Sequence, residues 1–150
     1  MKRLRGQRGF TLIELIVATI ILSILVGMAV PVAKTALKRE SERELRYDLW
    51  MMRDAIDRYK DVADLGKFQT KLGSDNYPPD LDTLVNGVDI AGKKMKFLRR
   101  IPIDPMTKKD WGLRATQDDK DSTSWGGQNV FDVYTTSDGI ALDGTKYKDW

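Results

Sequence analysis

One carboxylate interrupts an otherwise uncharged apolar run near the start of the chain. From Leu12 to Ala33 every residue is apolar or small except Glu14. An ionised glutamate just inside hydrocarbon is strongly disfavoured unless an opposite charge reaches it. A lone membrane helix offers no such charge at that depth. A neighbouring chain would, through its own positive amino terminus, if that terminus lay close to Glu14. The basic leader that carries Lys2, Arg3, Arg5 and Arg8 must then be removed. The chemistry demanded here is cleavage of a leader followed by ion pairing between helices.

A second group of candidate ligands lies near the other end. Asp138, Asp143 and neighbouring backbone carbonyls present the oxygen donors of a calcium cage, and Asp118, Asp119 and Asp121 form another acidic cluster. Neither follows the EF-hand spacing. The plainer alternative is that these are solvated turn acids, because Asp and Gly occupy such turns for backbone reasons. The chain has no cysteine and no histidine, which removes disulfides, thiol catalysis, Cys/His zinc sites and histidine acid–base chemistry together. No nucleophile–base arrangement stands out, so the chain does not read as an enzyme. Of 25 basic residues four belong to the leader, which leaves 21 against 22 acidic ones. The formal charge of +3 is thus a property of the leader, and nucleic-acid binding is not indicated.

The element that must carry Glu14 is a membrane helix. Leu15–Ala33 is 19 residues without a formal charge, roughly 30 Å of helix and the thickness of a hydrocarbon core. Basic residues before it predict a cytoplasmic N-terminus. A conventional signal peptide is the alternative, but the apolar run is long for one. A buried core helix fits poorly, because Ile, Leu and Val surround the whole circumference. Pro31 and Gly27 predict a kink or local loosening at 27–31.

Beyond Pro31 the helical pattern persists. Leu45, Leu49, Met52, Ile56 and Tyr59 recur at spacings of 4, 3, 4 and 3, an apolar stripe that reads as core packing. Charged residues fill the other face, with Glu40/Glu44 and Asp54/Arg58 at i,i+4. The helix is expected to reach about Ala63 and stop at Gly66. Tyr77-Pro78-Pro79 then forces extended backbone, and Asp80 can cap a short helix over Leu81, Leu84 and Val85. Phe97 and Leu98 read as buried amid solvated Lys93, Lys94, Lys96, Arg99 and Arg100, a positive patch that could face lipid headgroups. Ile101–Pro105 reads as an ordered loop positioning Trp111. Asn129–Thr135 is the strongest strand, with Leu113–Thr116 as its partner across the polar insert 117–128. Asp132 on that strand is expected to face solvent or cap a turn. Turns fill 137–145. The expected fold is α+β, a long N-terminal helix on an antiparallel sheet of two or three strands.

The segment RGFTLIEL resembles the processing motif of prepilins, in which a basic leader ends in Gly and is followed by Phe, Thr, Leu, a further apolar residue and Glu. The resemblance implies that a prepilin peptidase cuts between Gly9 and Phe10 and N-methylates Phe10. It implies that Glu14 pairs with the terminal amine of an adjacent subunit, and that Pro31 marks the helix kink. DNYPPDLDTLV, KKMKFLRRIPIDPMTKKDWG and NVFDVYTTSDGIALDGTKYKDW are similar to the pseudopilins of type II secretion. Type IV pilins, or another pilin-like filament, are the alternative, although pilins commonly close their variable region with a disulfide. The implied organisation is a leader at 1–9, a transmembrane and assembly helix at 10–33, an amphipathic helix at 34–65 and a periplasmic globular region at 66–150. The implied partners are copies of the chain in a helical filament, minor pseudopilins, an inner-membrane assembly platform, the peptidase and membrane lipid. The resemblance also implies one structural Ca2+ in the C-terminal loop region. Replacing Gly9 with a bulky residue, as in Gly9→Leu, should leave the leader attached, which the intact mass of the membrane-extracted protein would reveal.

Overall fold

A single helix, α1, runs from Leu12 to Asp64 in the computed structural model, without interruption at Gly27 or Pro31. The structure describes residues 9–119, 122 and 124–150, so residues 1–8 of the leader and Asp121 lie outside the described residues. The chain forms two compact units, divided between Lys38 and Arg39. In the first, the side chains of α1 are exposed along the whole apolar run, with Leu12 at 80% and Val32 at 69%. Among the described residues this helix is long and apolar enough to cross a membrane. Its few hydroxyls turn back on the helix: Thr19 donates to the Ile16 carbonyl and Ser23 to that of Thr19, both at 2.8 Å. Back-bonding of this kind lets a polar side chain sit in hydrocarbon without an external partner.

In the second unit α1 buries one face. Leu45, Leu49, Met52, Ile56 and Tyr59 are all buried, joined by Ala55 and Ala63. Against them pack Leu81, Leu84, Phe97, Leu98, Trp111, Val130, Val133, Ala141 and Tyr147. Tyr59 meets Phe68 and Phe97 edge-on at 5.1 and 5.3 Å between ring centres, the favoured geometry for aromatic quadrupoles. On the outer face Asp54 and Arg58 pair at 2.9 Å as their spacing predicts. Glu40 instead pairs with Arg43 at 3.4 Å, since Glu44 carries the same charge as Glu40. The helix stops where Gly66 adopts φ +65° and its N–H donates to the Ala63 carbonyl at 2.8 Å.

The short helix α2, Leu81–Asn86, is capped by Asp80, whose carboxylate accepts from the Thr83 N–H and hydroxyl, both at 2.7 Å. The Leu84 carbonyl accepts from the N–H groups of Phe97 and Leu98 at 3.0 Å, tying that buried pair to α2. Between them lies a hairpin that the sequence pattern does not predict. Strand β1, Val88–Ile90, pairs antiparallel with β2, Lys93–Met95, across Ala91-Gly92, both at positive φ. A two-residue turn with both φ values positive matches the twist of a hairpin, and the Asp89 carboxylate steadies it by accepting from the Gly92 N–H at 3.0 Å.

A second two-stranded sheet pairs β3, Gly112–Arg114, with β4, Asp132–Tyr134, placing Leu113 opposite Val133. This is the expected pairing, on a shorter ladder. Beyond it, side chains take over: the Thr116 N–H donates to Asn129 Oδ1 at 3.1 Å, and fully buried Asn129 returns a bond to Thr116. Gly112 lies so close to Tyr134 that a Cβ there would sit 2.4 Å from its ring. The Ile101–Pro105 loop holds Trp111, whose indole N–H donates to the Pro102 carbonyl at 2.8 Å. Asp104 in that loop is fully buried and accepts from the Met106 N–H and from the hydroxyls of Thr107 and Thr135.

Asp132 does not face solvent, nor does it serve mainly as a turn cap. Its carboxylate is 2.7 Å from Arg53 Nε and 3.8 Å from Arg114. Arg53 donates also to the carbonyls of Val133 and Trp150, at 3.1 and 2.7 Å. One guanidinium thus joins α1, β4 and the C-terminal segment. A fork of fixed donors suits this convergence better than an ammonium would.

Gly87, with φ +79°, is the position where α2 turns into β1, and a Cβ there would lie 2.4 Å from the Met95 carbonyl oxygen. Gly87→Ala should destabilise the globular unit by roughly 1–3 kcal/mol, measured as a lower urea midpoint with an unchanged slope.

Candidate processing and assembly site

The first turn of α1 explains part of the Glu14 anomaly. Thr11 stands immediately before the helix and accepts from the Glu14 N–H through its hydroxyl at 3.3 Å. The Leu15 N–H reaches the Thr11 carbonyl at 3.2 Å. Thr-x-x-Glu is the spacing of a capping box, and a carboxylate in the first turn is favoured by the partial positive charge of the helix terminus. Among the described residues, however, the Glu14 carboxylate has no ion-pair or hydrogen-bond partner. Phe10, immediately before Thr11, is 78% exposed. At Gly9 a Cβ would meet nothing within 4 Å, so the chain's own packing does not require glycine there. The same holds at Gly27.

The C-terminal acids have other occupations. Asp143 Oδ1 accepts from the Thr145 N–H at 2.9 Å and hydroxyl at 2.6 Å, while Oδ2 takes the Arg46 guanidinium at 3.0 Å. Those hydrogen bonds from Thr145, with Arg46 adding its charge, hold the Asp143 carboxyl below the usual carboxylate range. Asp138 is exposed and takes part in none of these contacts. Asp118 closes a local turn, accepting from the N–H groups of Ala115 and Gly126 at 2.8 and 3.1 Å. Asp119 is exposed. Among the described residues no three acidic side chains converge as metal ligands. A calcium cage needs several free, negatively charged oxygens. Asp143 offers neither a free oxygen nor an uncompensated charge, and Asp138 stands outside its hydrogen bonds.

What holds this loop was hidden in the sequence. Glu42 is buried, and its Oε1 accepts from the Leu142 N–H at 2.8 Å and the Tyr147 hydroxyl at 2.9 Å. A signal was available, because Glu42 extends the apolar stripe by one step, three residues before Leu45. A charge in register with a core stripe announces a buried partner. Burial first, and the hydrogen bond to Glu42 second, push the Tyr147 hydroxyl up to about 12.

A long exposed apolar helix that continues into an amphipathic half, packed on small antiparallel sheets, defines a pilin-like α+β protein. Residues 4–30 match the family described as the prokaryotic N-terminal methylation motif. Beyond that segment the chain is similar to type II secretion system core protein G of three bacteria. It is 28% identical to that protein of Vibrio cholerae over 142 residues, covering 90% of this chain and 83% of the relative. It is 29% identical to that of Aeromonas hydrophila over 116 residues, 72% of this chain and 70% of the relative. The Escherichia coli protein is 26% identical over 120 residues, 75% of this chain and 72% of the relative. No solved structure matches the chain significantly.

Tyr147 is held protonated by the fold, so its contribution to stability is complete below the ordinary tyrosine range near 10 and is lost as pH rises through about 12. In an ultraviolet alkaline titration of the folded protein, Tyr147→Phe should remove an ionisation near pH 12 and flatten the loss of stability across that interval.

Proposed function

We propose that the chain is the structural subunit of a periplasmic pseudopilus that helps export folded proteins through a type II secretion system. The similarity to core protein G through most of the chain carries this reading. The similarity reaches well past the processing segment that pilins share, and all three relatives named above are secretion components, which disfavours the type IV pilin alternative. A structural role agrees with a site that sets an uncompensated acid at the head of a long apolar helix.

In this reading the leader directs insertion into the inner membrane with the N-terminus cytoplasmic and the globular unit periplasmic. A prepilin peptidase cuts between Gly9 and Phe10 and methylates the new amine. The indifference of the fold to a side chain at Gly9 supports assigning the glycine requirement to the peptidase. Removal of the leader leaves Glu14 four residues from a fresh cation on Phe10. Between neighbouring helices offset along their axes, the amine of one reaches the carboxylate of the next. An ion pair in hydrocarbon is strongly favoured over two separated ions. It would therefore set the axial offset, while the exposed Leu, Ile and Val side chains supply packing. Minor pseudopilins and an inner-membrane assembly platform are the expected further partners.

Glu14→Ala should leave insertion and leader removal intact while filament assembly and protein secretion fall by at least roughly tenfold, the equivalent of ~1.4 kcal/mol per subunit contact. Crosslinking in membranes and secreted-enzyme assays would read this. Normal secretion by that variant would sink the pairing mechanism, and long surface fibres at native expression would sink the secretion role.

A further inference from the structure

We propose that the C-terminal loop of this chain is locked by an arginine–aspartate pair, Arg46 with Asp143, and requires no metal ion. The loop runs from Gly139 to Trp150 along one turn of α1, and two residues four apart on that helix hold it. Glu42 receives the donors that the loop offers, the Leu142 N–H and the Tyr147 hydroxyl. Arg46 supplies a donor to the acceptor that the loop offers, Asp143, at 3.0 Å. The guanidinium also lies over the Trp150 ring, 4.1 Å from its centre, and the Trp150 indole N–H donates to the Thr145 hydroxyl oxygen at 2.6 Å. Thr145 in turn donates to Asp143 and accepts the Ala141 N–H through its carbonyl. The circuit Arg46–Asp143–Thr145–Trp150–Arg46 therefore closes on itself.

This circuit places a fixed cation where a bound ion would have to act. Both oxygens of Asp143 are occupied, and the guanidinium already compensates its charge. A dication entering here would lose those bonds and meet Arg46 as a like charge. The helix side chain does the stapling that an ion would otherwise supply, and it does so from within the chain.

The test uses the full chain in detergent micelles, with near-ultraviolet circular dichroism reporting the packing of its aromatic side chains. The melting temperature should be the same, within about 1 °C, in excess EDTA and in excess CaCl2. A calcium ligand at about a hundredfold its dissociation constant would raise it by roughly 10 °C, and such a rise would overturn the proposal. Protein purified without chelator should retain far less than one calcium per chain, and retention of about one ion would also overturn it. Arg46→Ala and Asp143→Asn should each lower the melting temperature by roughly 3–8 °C, with no recovery in CaCl2. The exchange of the two charges, Arg46→Asp with Asp143→Arg, should recover part of the loss. Unchanged melting in both single variants would remove the lock. Should either variant fail to fold, the calcium comparison on the unsubstituted chain still decides.

Discussion

One helix has to satisfy two solvents. Over Leu12–Ala33 it is apolar on every side, and over Leu45–Tyr59 it is apolar on one. A helix backbone satisfies its own hydrogen bonds in either setting, so the change of solvent is written only in the side chains. The first half cannot find enough protein to cover it, and its side chains are exposed. The second half is the wall on which the globular unit is built, and its stripe supplies much of the core. Every other element of that unit is short, with strands of three residues and a helix of six. Such elements have little stability of their own and depend on α1 for their buried surface.

The polar contacts of α1 follow the same division. In the globular unit, Glu42, Arg46 and Arg53 sit at the margins of the stripe and reach residues far along the chain. They hold the C-terminal segment in place with no disulfide, and the chain has no cysteine to make one. In the apolar half, Thr19 and Ser23 bond to the helix itself. Glu14 is the exception, an acid with a cap behind it and no described partner ahead. The assembly reading turns on that exception.

Much of this was legible from local pattern. The stripe, the stop at Gly66, the Asp80 cap and the β3–β4 pairing all follow from periodicity, glycine at positive φ, and turn chemistry acting over a few residues. The β1–β2 hairpin escaped because its strands are three residues long, Lys-rich on one side, and joined by Ala91-Gly92 rather than a stronger turn pair. The partners of Asp132 and Asp143 escaped for another reason. Arg53 and Arg46 lie 79 and 97 residues away, and no local rule reaches so far. The oxygen donors of Asp138 and Asp143 are legible in the sequence, whereas the guanidinium beside Asp143 is not. At the N-terminus the physical argument asks for a chain end close to Glu14, and the resemblance implies the bond between Gly9 and Phe10.

Mass spectrometry of the N-terminal peptide from membrane-extracted protein tests the central claim most directly. The account predicts a chain that begins at Phe10 and carries one methyl group on its amine. A chain that retains the leader, or begins at any residue other than Phe10, would remove the cation that Glu14 requires and contradict the account.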